Sequence, residues 1–316
     1  MEKLLTIVIP TYNRSLLLDS NLSQLSKLIS MYDFDLIVCD NASTDQTMDV
    51  IDKWRARIPH LQVIHHPENV FFDRNVASGY LSFKTKYCWI MGDSYSIDDK
   101  GLEEVLRNLA EKSPHALIVN DPCGTVTLDN RKYTDANQLF RELGWYVTLV
   151  SSCIICKDLI TKERCERYYD SGFVHEGVFF DSLAFLESID VYLLSSVRLL
   201  KNLPDKKAKA STGWMRTPFI VFGKKWFSFI MSLPYKYTLD NKLYCIRQHD
   251  EHQHVFSPGR LFKNKLSGYT SFEDYHDARP FLKYVYNYPL VITDMISHVP
   301  SMPSFYKWLK KSFKLR

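Results

Sequence analysis

Four short polar stretches, each following a run of apolar residues, hold the side chains best suited to chemistry on a charged small molecule. The first is Pro10, Thr11, Tyr12, Asn13 and Arg14; the second runs from Asp40 and Asn41 to Asp45; the third is Asp73, Arg74 and Asn75; the fourth is Gly92, Asp93, Ser94 and Tyr95. Tyr12 offers a flat ring to a base, and Arg14 a forked guanidinium to a pyrophosphate. Asp40 closes an apolar run, where a carboxylate costs free energy unless it meets donors. A uracil or guanine edge supplies N–H groups, and so does a neighbouring loop. Arg74 either points a second cation at the same place or pairs in solvent with Asp73 or a neighbour. Asp93 is a hard oxygen ligand for Mn²⁺ or Mg²⁺, which would neutralise charge on a departing diphosphate. Attack by a hydroxyl needs a general base: Glu176 leads, with Asp181 one turn further on. Acidic residues early in a helix also answer its dipole alone.

The elements that position these groups follow from periodicity. Short β-rich runs at 4–9, 35–39, 61–65, 87–91 and 116–120 alternate with helical patterns at 16–30, 45–57, 73–83 and 100–112. That alternation predicts a mostly parallel sheet flanked by crossover helices, with ligands beyond the carboxyl ends of its strands. From Pro122 to Val150 the pattern is irregular, and it resumes with a helix at 178–189 and a strand at 191–194. We read 1–203 as one α/β domain, with a nucleotide-binding half at 1–120 and an acceptor-side half at 121–203. Residues 204–316 are a helical C-terminal region.

The 316 residues, 46% hydrophobic, suffice for a large core, and a dispersed net charge of +4 argues against nucleic acid as a partner. No secretory signal opens the chain and no run is apolar enough to span a bilayer, so a cytoplasmic location is expected. Seven scattered cysteines fit reduced thiols, and the pair Cys153 and Cys156 is read as structural.

Taken together, the segments Thr6 to Arg14 (TIVIPTYNR), Leu36 to Asp45 (LIVCDNASTD), Asn69 through Arg74 and Asn75, and Tyr87 to Asp93 (YCWIMGD) resemble glycosyltransferase family 2 in order and spacing over about the first 120 residues. Bacterial enzymes building O-antigen or capsular polysaccharide, abequosyltransferase-like proteins among them, are the nearest in kind. The resemblance implies a GT-A (Rossmann-like) fold and a nucleoside-diphosphate sugar as donor. It places Thr11, Tyr12 and Asp40 on the nucleoside, Arg74 near the base or phosphates, and Asp93 in the metal motif. Transfer would go to a glycan or lipid-linked saccharide with inversion. Two departures stand out. Family members carry an acidic cluster where this chain has Gly92-Asp93-Ser94, and a Glu-Asp pair where it has Glu176 and Gly177. They motivate the alternative of a weakly active or inactive sugar-nucleotide-binding scaffold subunit. A nucleotidyltransferase ranks last, because the loop after the first strand lacks glycine.

Phe305, Trp308, Leu309 and Phe313 recur at helical spacing against Lys307, Lys310, Lys311, Lys314 and Arg316. Such a helix suits the inner membrane surface, each cation near an anionic leaflet contributing on the order of 1 kcal/mol. Packing on the body, or on a second subunit in a homo-oligomer, is the other option. His249, His252 and His254 read as a polar surface segment rather than a metal site.

Overall fold

The computed structural model describes residues 3–58, 60–202, 217–286, 288–304 and 306. The basic run after Leu203 and the tail residues Phe305, Lys307 to Lys311, Phe313, Lys314 and Arg316 lie outside them. The chain divides into two compact units, Met1–Ala210 and Ser211–Arg316.

In the first unit the apolar runs become β1 (Leu5–Thr11), β2 (Asp35–Asp40), β3 (Gln62–His65) and β4 (Tyr87–Ile90), followed by β5 (Tyr95–Ser96), β6 (Ala116–Asn120), β7 (Arg131–Tyr133), β8 (Cys153–Cys156), β9 (Val191–Arg198) and β10 (Leu200–Lys201). Between them lie α1 (Ser15–Ile29), α2 (Thr47–Arg55), α3 (Phe71–Tyr80), α4 (Asp99–Lys112), α5 (Ala136–Leu143), α6 (Lys162–Arg167) and α7 (Val174–Ala184). Eight strands form one sheet in the order β3-β2-β1-β4-β8-β6-β9-β7, and β5 pairs with β10 separately. Leu5, Ile7, Val8 and Ile9 have no exposed surface. Both faces of β1 are therefore covered, which is why its sequence is an unbroken apolar run rather than an alternation. Helix α3 lies so close to β1 that a Cβ on Gly79 would come within 2.3 Å of Val8. Only a residue without a side chain lets them meet.

The sequence reading leaves β8 unassigned. It runs antiparallel between β4 and β6, so the sheet is mixed at its centre. Cys153 and Cys156 are both free, and three residues apart on a strand they face opposite sides, which rules out joint chelation by this pair.

The second unit opens with a wide π-helical turn, Phe219–Lys225, leading into α8 (Trp226–Ser232), then α9 (Leu239–Gln253), α10 (Pro258–Leu266), α11 (Phe272–Val285) and α12 (Leu290–Ser297). The histidine segment is only partly at the surface: His252 and His254 are exposed, whereas His249 is buried. His249 sits on α9, 2% exposed, stacked on Phe222 at 4.4 Å and against Trp226 at 5.2 Å, and burial pushes its ring down to about 3. Its neighbours in the core are aromatic, so the ring packs there as a neutral, largely apolar body. Helix α12 is inverted: Thr293 and Ser297 are buried while Val291 and Met295 are 59% and 68% exposed. No helix among the described residues is long and apolar enough to cross a membrane.

Candidate active site at the strand ends

The carboxyl ends of β1, β2 and β4 meet through side chains of their own loops. Asn13, at a left-handed φ of 52°, accepts from the backbone N–H of Thr44 at 2.7 Å, and its own N–H donates to Ser43 Oγ at 2.8 Å. Asn tolerates that backbone region better than most residues. Asn41 N–H donates to the Thr11 carbonyl at 3.0 Å, and Thr11 Oγ donates to Asp93 Oδ2 at 3.1 Å. Thr11, Tyr12, Asp40, Asn41 and Asp93 thus share one edge, with Pro10 behind them in β1.

Asp40 has no exposed surface. Its Oδ2 accepts from Ser43 N–H at 3.1 Å and from His65 Nδ1 at 2.8 Å, while Oδ1 has no partner. A buried carboxylate oxygen without a donor is expensive, and a nucleobase N–H would satisfy it. His65 escapes sequence reading, although its position at the end of β3 was the available signal. Asn41 extends the network, donating to Asn69 Oδ1 at 3.1 Å and accepting from Val70 N–H at 2.8 Å.

Asp93 is 3% exposed, and Arg14 donates to its Oδ1 at 2.8 Å and to Ser94 Oγ at 2.9 Å. Burial pushes the Asp93 carboxyl up, against the pull of Arg14. Asn202, wholly buried, clamps this corner from a distant part of the chain: its side chain donates to the carbonyls of Asp93 and Leu17, and its N–H to Ser94. As a metal ligand Asp93 fits poorly. Both its oxygens are taken, one by a cation, and no group of three His, Cys, Asp or Glu side chains suited to a metal occurs among the described residues. A divalent ion would have to displace Arg14.

Helix α7 carries the acids expected as bases, and it separates them. Glu176 has no exposed surface and neither carboxyl oxygen has a partner; burial pushes it well above the usual carboxylate range. Asp181 is not an available base: it accepts from Arg164, Arg167 and the Tyr168 hydroxyl at 3.2, 2.9 and 3.0 Å. Five residues rotate a helix by roughly 140° from the starting face, so the two acids look in different directions. Gly177 has a packing cause, since a Cβ there would stand 2.3 Å from the Tyr168 ring, which is 1% exposed. The aspartate that the family resemblance leads one to expect at 177 has no room.

Arg74 is likewise drawn away from the expected phosphate role. It forks onto Asp170 at 2.6 and 3.2 Å, with the Tyr169 ring 4.7 Å beneath. Its neighbour Asp73 accepts from the N–H groups of Gly172 and Val174, so α3 holds the start of α7 in place. At the rim, Phe71 is 72% exposed at a left-handed φ of 63°, and Phe72 is 40% exposed with its ring 6.0 Å from that of His175. A phenylalanine in that backbone region costs on the order of 1 kcal/mol.

A mostly parallel sheet with polar loops gathered at its strand ends is the GT-A glycosyltransferase architecture, and solved structures share the fold. The S. aureus TarS 1-349 complex with UDP-GlcNAc superposes with a TM-score of 0.57 at 13% identity, covering 98% of this chain and 91% of that one. The mannosyltransferase PcManGT from Pyrobaculum calidifontis, in complex with GDP-Man and Mn²⁺, gives 0.52 at 13% identity over 100% and 89%. Residues 6–158 match the model of glycosyl transferase family 2. Among curated relatives, abequosyltransferase RfbV of Salmonella typhimurium (strain LT2) is 34% identical over 93 residues, 28% of this chain and 27% of that protein. Validoxylamine A glucosyltransferase of Streptomyces hygroscopicus subsp. jinggangensis is 45% identical over 56 residues, 17% and 13% respectively. The matched segments thus span about a quarter or less of these relatives.

Proposed function

We propose that the protein transfers a sugar from a nucleoside-diphosphate donor to a hydroxyl of a growing, lipid-linked bacterial surface glycan, inverting the anomeric centre. The observation carrying this reading is Asp40, a wholly buried carboxylate with one unmet oxygen beside Thr11 and Tyr12. The base would donate to that oxygen, Tyr12 would lie against its ring, and Arg14 would turn from Asp93 toward the diphosphate. Glu176, as carboxylate, takes the acceptor proton. The new bond forms at the anomeric carbon as its bond to the diphosphate oxygen breaks, and the nucleoside diphosphate leaves with the electron pair. Displacement from the opposite face inverts the centre.

Thermal-shift titration with UDP, GDP, CDP and dTDP, each with Mn²⁺ and with EDTA, tests the donor site. At least one nucleotide should raise the unfolding midpoint, by mass action on the folded state; metal assistance registers as the difference between the two series. Indifference to all four would sink the reading. The buried Glu176 and the closed Asp93–Arg14 pair favour the scaffold alternative, which predicts the same nucleotide shift without donor turnover.

We further propose reversible attachment to the inner face of an anionic membrane. Val291 and Met295 turn outward on α12, and Lys307, Lys310, Lys311, Lys314 and Arg316 follow in sequence. Apolar insertion and phosphate attraction then act together. Sedimentation with phosphatidylglycerol vesicles should pull the protein down at low salt and release it at high salt, whereas equal recovery with neutral vesicles would count against attachment.

A further inference from the structure

We propose that Phe71 and Phe72 form an aromatic shelf that receives a pyranose ring of the acceptor, an inference that rests on the transfer reading above. Phe71 combines two unfavourable features. Its backbone occupies the left-handed region at a φ of 63°, where glycine is at ease and a bulky residue is strained, and its ring is 72% exposed. Glycine at 71 would remove both, and no aromatic or cationic partner for the Phe71 ring occurs among the described residues to offset them.

The position of the shelf selects its occupant. Phe71 N–H donates to Asn69 Oδ1 at 2.9 Å, and the same oxygen accepts from Asn41, next to Asp40. On the other side the Phe72 ring meets His175 edge-on at 6.0 Å, one residue before Glu176. Residues 71 and 72 therefore link the Asn41 side of the edge to the start of α7, and an acceptor sugar held there would lie beside both. His175 is fixed for this contact, because its Nε2 lies 3.2 Å from the Thr148 carbonyl and so donates to it. Pyranose rings present a face of C–H groups that packs on an aromatic ring while their hydroxyls stay outward. A diphosphate has no such face. Tyr12, 43% exposed in the β1 loop, is the ring placed for the base.

Saturation-transfer NMR on the full chain tests the shelf, with the methyl pyranosides of glucose, galactose, mannose and rhamnose as probes in the presence of UDP. The wild type should saturate the ring protons of at least one glycoside. In Phe71→Gly that signal should fall at least about fivefold, with the unfolding midpoint equal or higher and the UDP thermal shift unchanged; Phe71→Trp should keep it. Equal saturation in wild type and Phe71→Gly, or none in the wild type, overturns the shelf. Light scattering supplies a further discriminator: a wild-type dimer that dissociates in Phe71→Gly would give this surface to a second copy and overturn the proposal. Indifference of the wild type to all four nucleotides would instead strike the transfer reading, while the glycoside signal still judges the shelf.

Discussion

Glu176→Gln is expected to slow sugar transfer by about 10²–10⁴-fold, the range for loss of a positioned general base, while leaving the nucleotide thermal shift intact. The same substitution should stabilise the protein at neutral and alkaline pH. Glu176 is wholly buried without partners, and burial raises its folded pKa well above the ordinary 4.5. A group so raised contributes fully below its unfolded pKa, and that contribution is lost as pH rises toward the folded value, because the unfolded chain releases the proton more readily. Wild-type unfolding midpoints should therefore fall from pH 5 upward relative to those of Glu176→Gln, which carries no such proton. Turnover should run the other way, rising with pH as the carboxylate forms. If Glu176→Gln gains stability and keeps wild-type turnover, the residue is a buried packing group and the assigned base is wrong.

Asp93→Ala is expected to abolish measurable transfer, a loss of at least about 100-fold in a donor-hydrolysis or transfer assay, and to weaken nucleotide binding. The carboxylate joins Thr11 of one loop, Arg14 of the same loop and Ser94 of its own. Its removal unpairs the Arg14 guanidinium and leaves a buried Thr11 hydroxyl without its acceptor, costing about 1–3 kcal/mol of stability. Asp93→Asn separates geometry from charge: it keeps an acceptor for Thr11 and loses the ion pair. Undiminished turnover in Asp93→Ala would show that neither the ion pair nor the carboxylate takes part in the reaction.

The parallel half of the sheet was legible because its strands are buried on both faces. Burial on both faces leaves continuous apolar runs, Leu5 to Ile9 and Leu36 to Cys39 among them, that end abruptly in polar loops. The polar tips after β1, β2 and β4 could be read from the same breaks. β8 was not legible, since four residues of apolar sequence do not announce their direction or their neighbours. Its place between β4 and β6 depends on partners about 67 and 37 residues away. Asn202 was equally invisible: an asparagine after a two-residue strand carries no local signal, yet it holds Asp93 across 109 positions.

Roles that depend on a side chain's partner changed most. Arg74 and Asp181 have the right chemistry for phosphate and base, but Asp170 claims the first, and Arg164, Arg167 and Tyr168 the second. Gly177 looked like the loss of an acid and is a space kept for the Tyr168 ring. Phe71 carried no mark in sequence, because its left-handed backbone and exposed ring exist only once Asn69 and Asn41 have closed the turn.

By itself, then, the order of apolar runs and polar breaks determined the α/β class and the edge at which the polar strand ends gather, since those follow from local periodicity and from burial that any packing of these runs imposes; the family was legible only through the resemblance of its motifs. Which acid stands alone, which cation is already spent and which ring faces water were decided by tertiary structure. A charge or a ring takes its role from the partner within about 3–6 Å, and chain folding chooses that partner from residues far away in sequence.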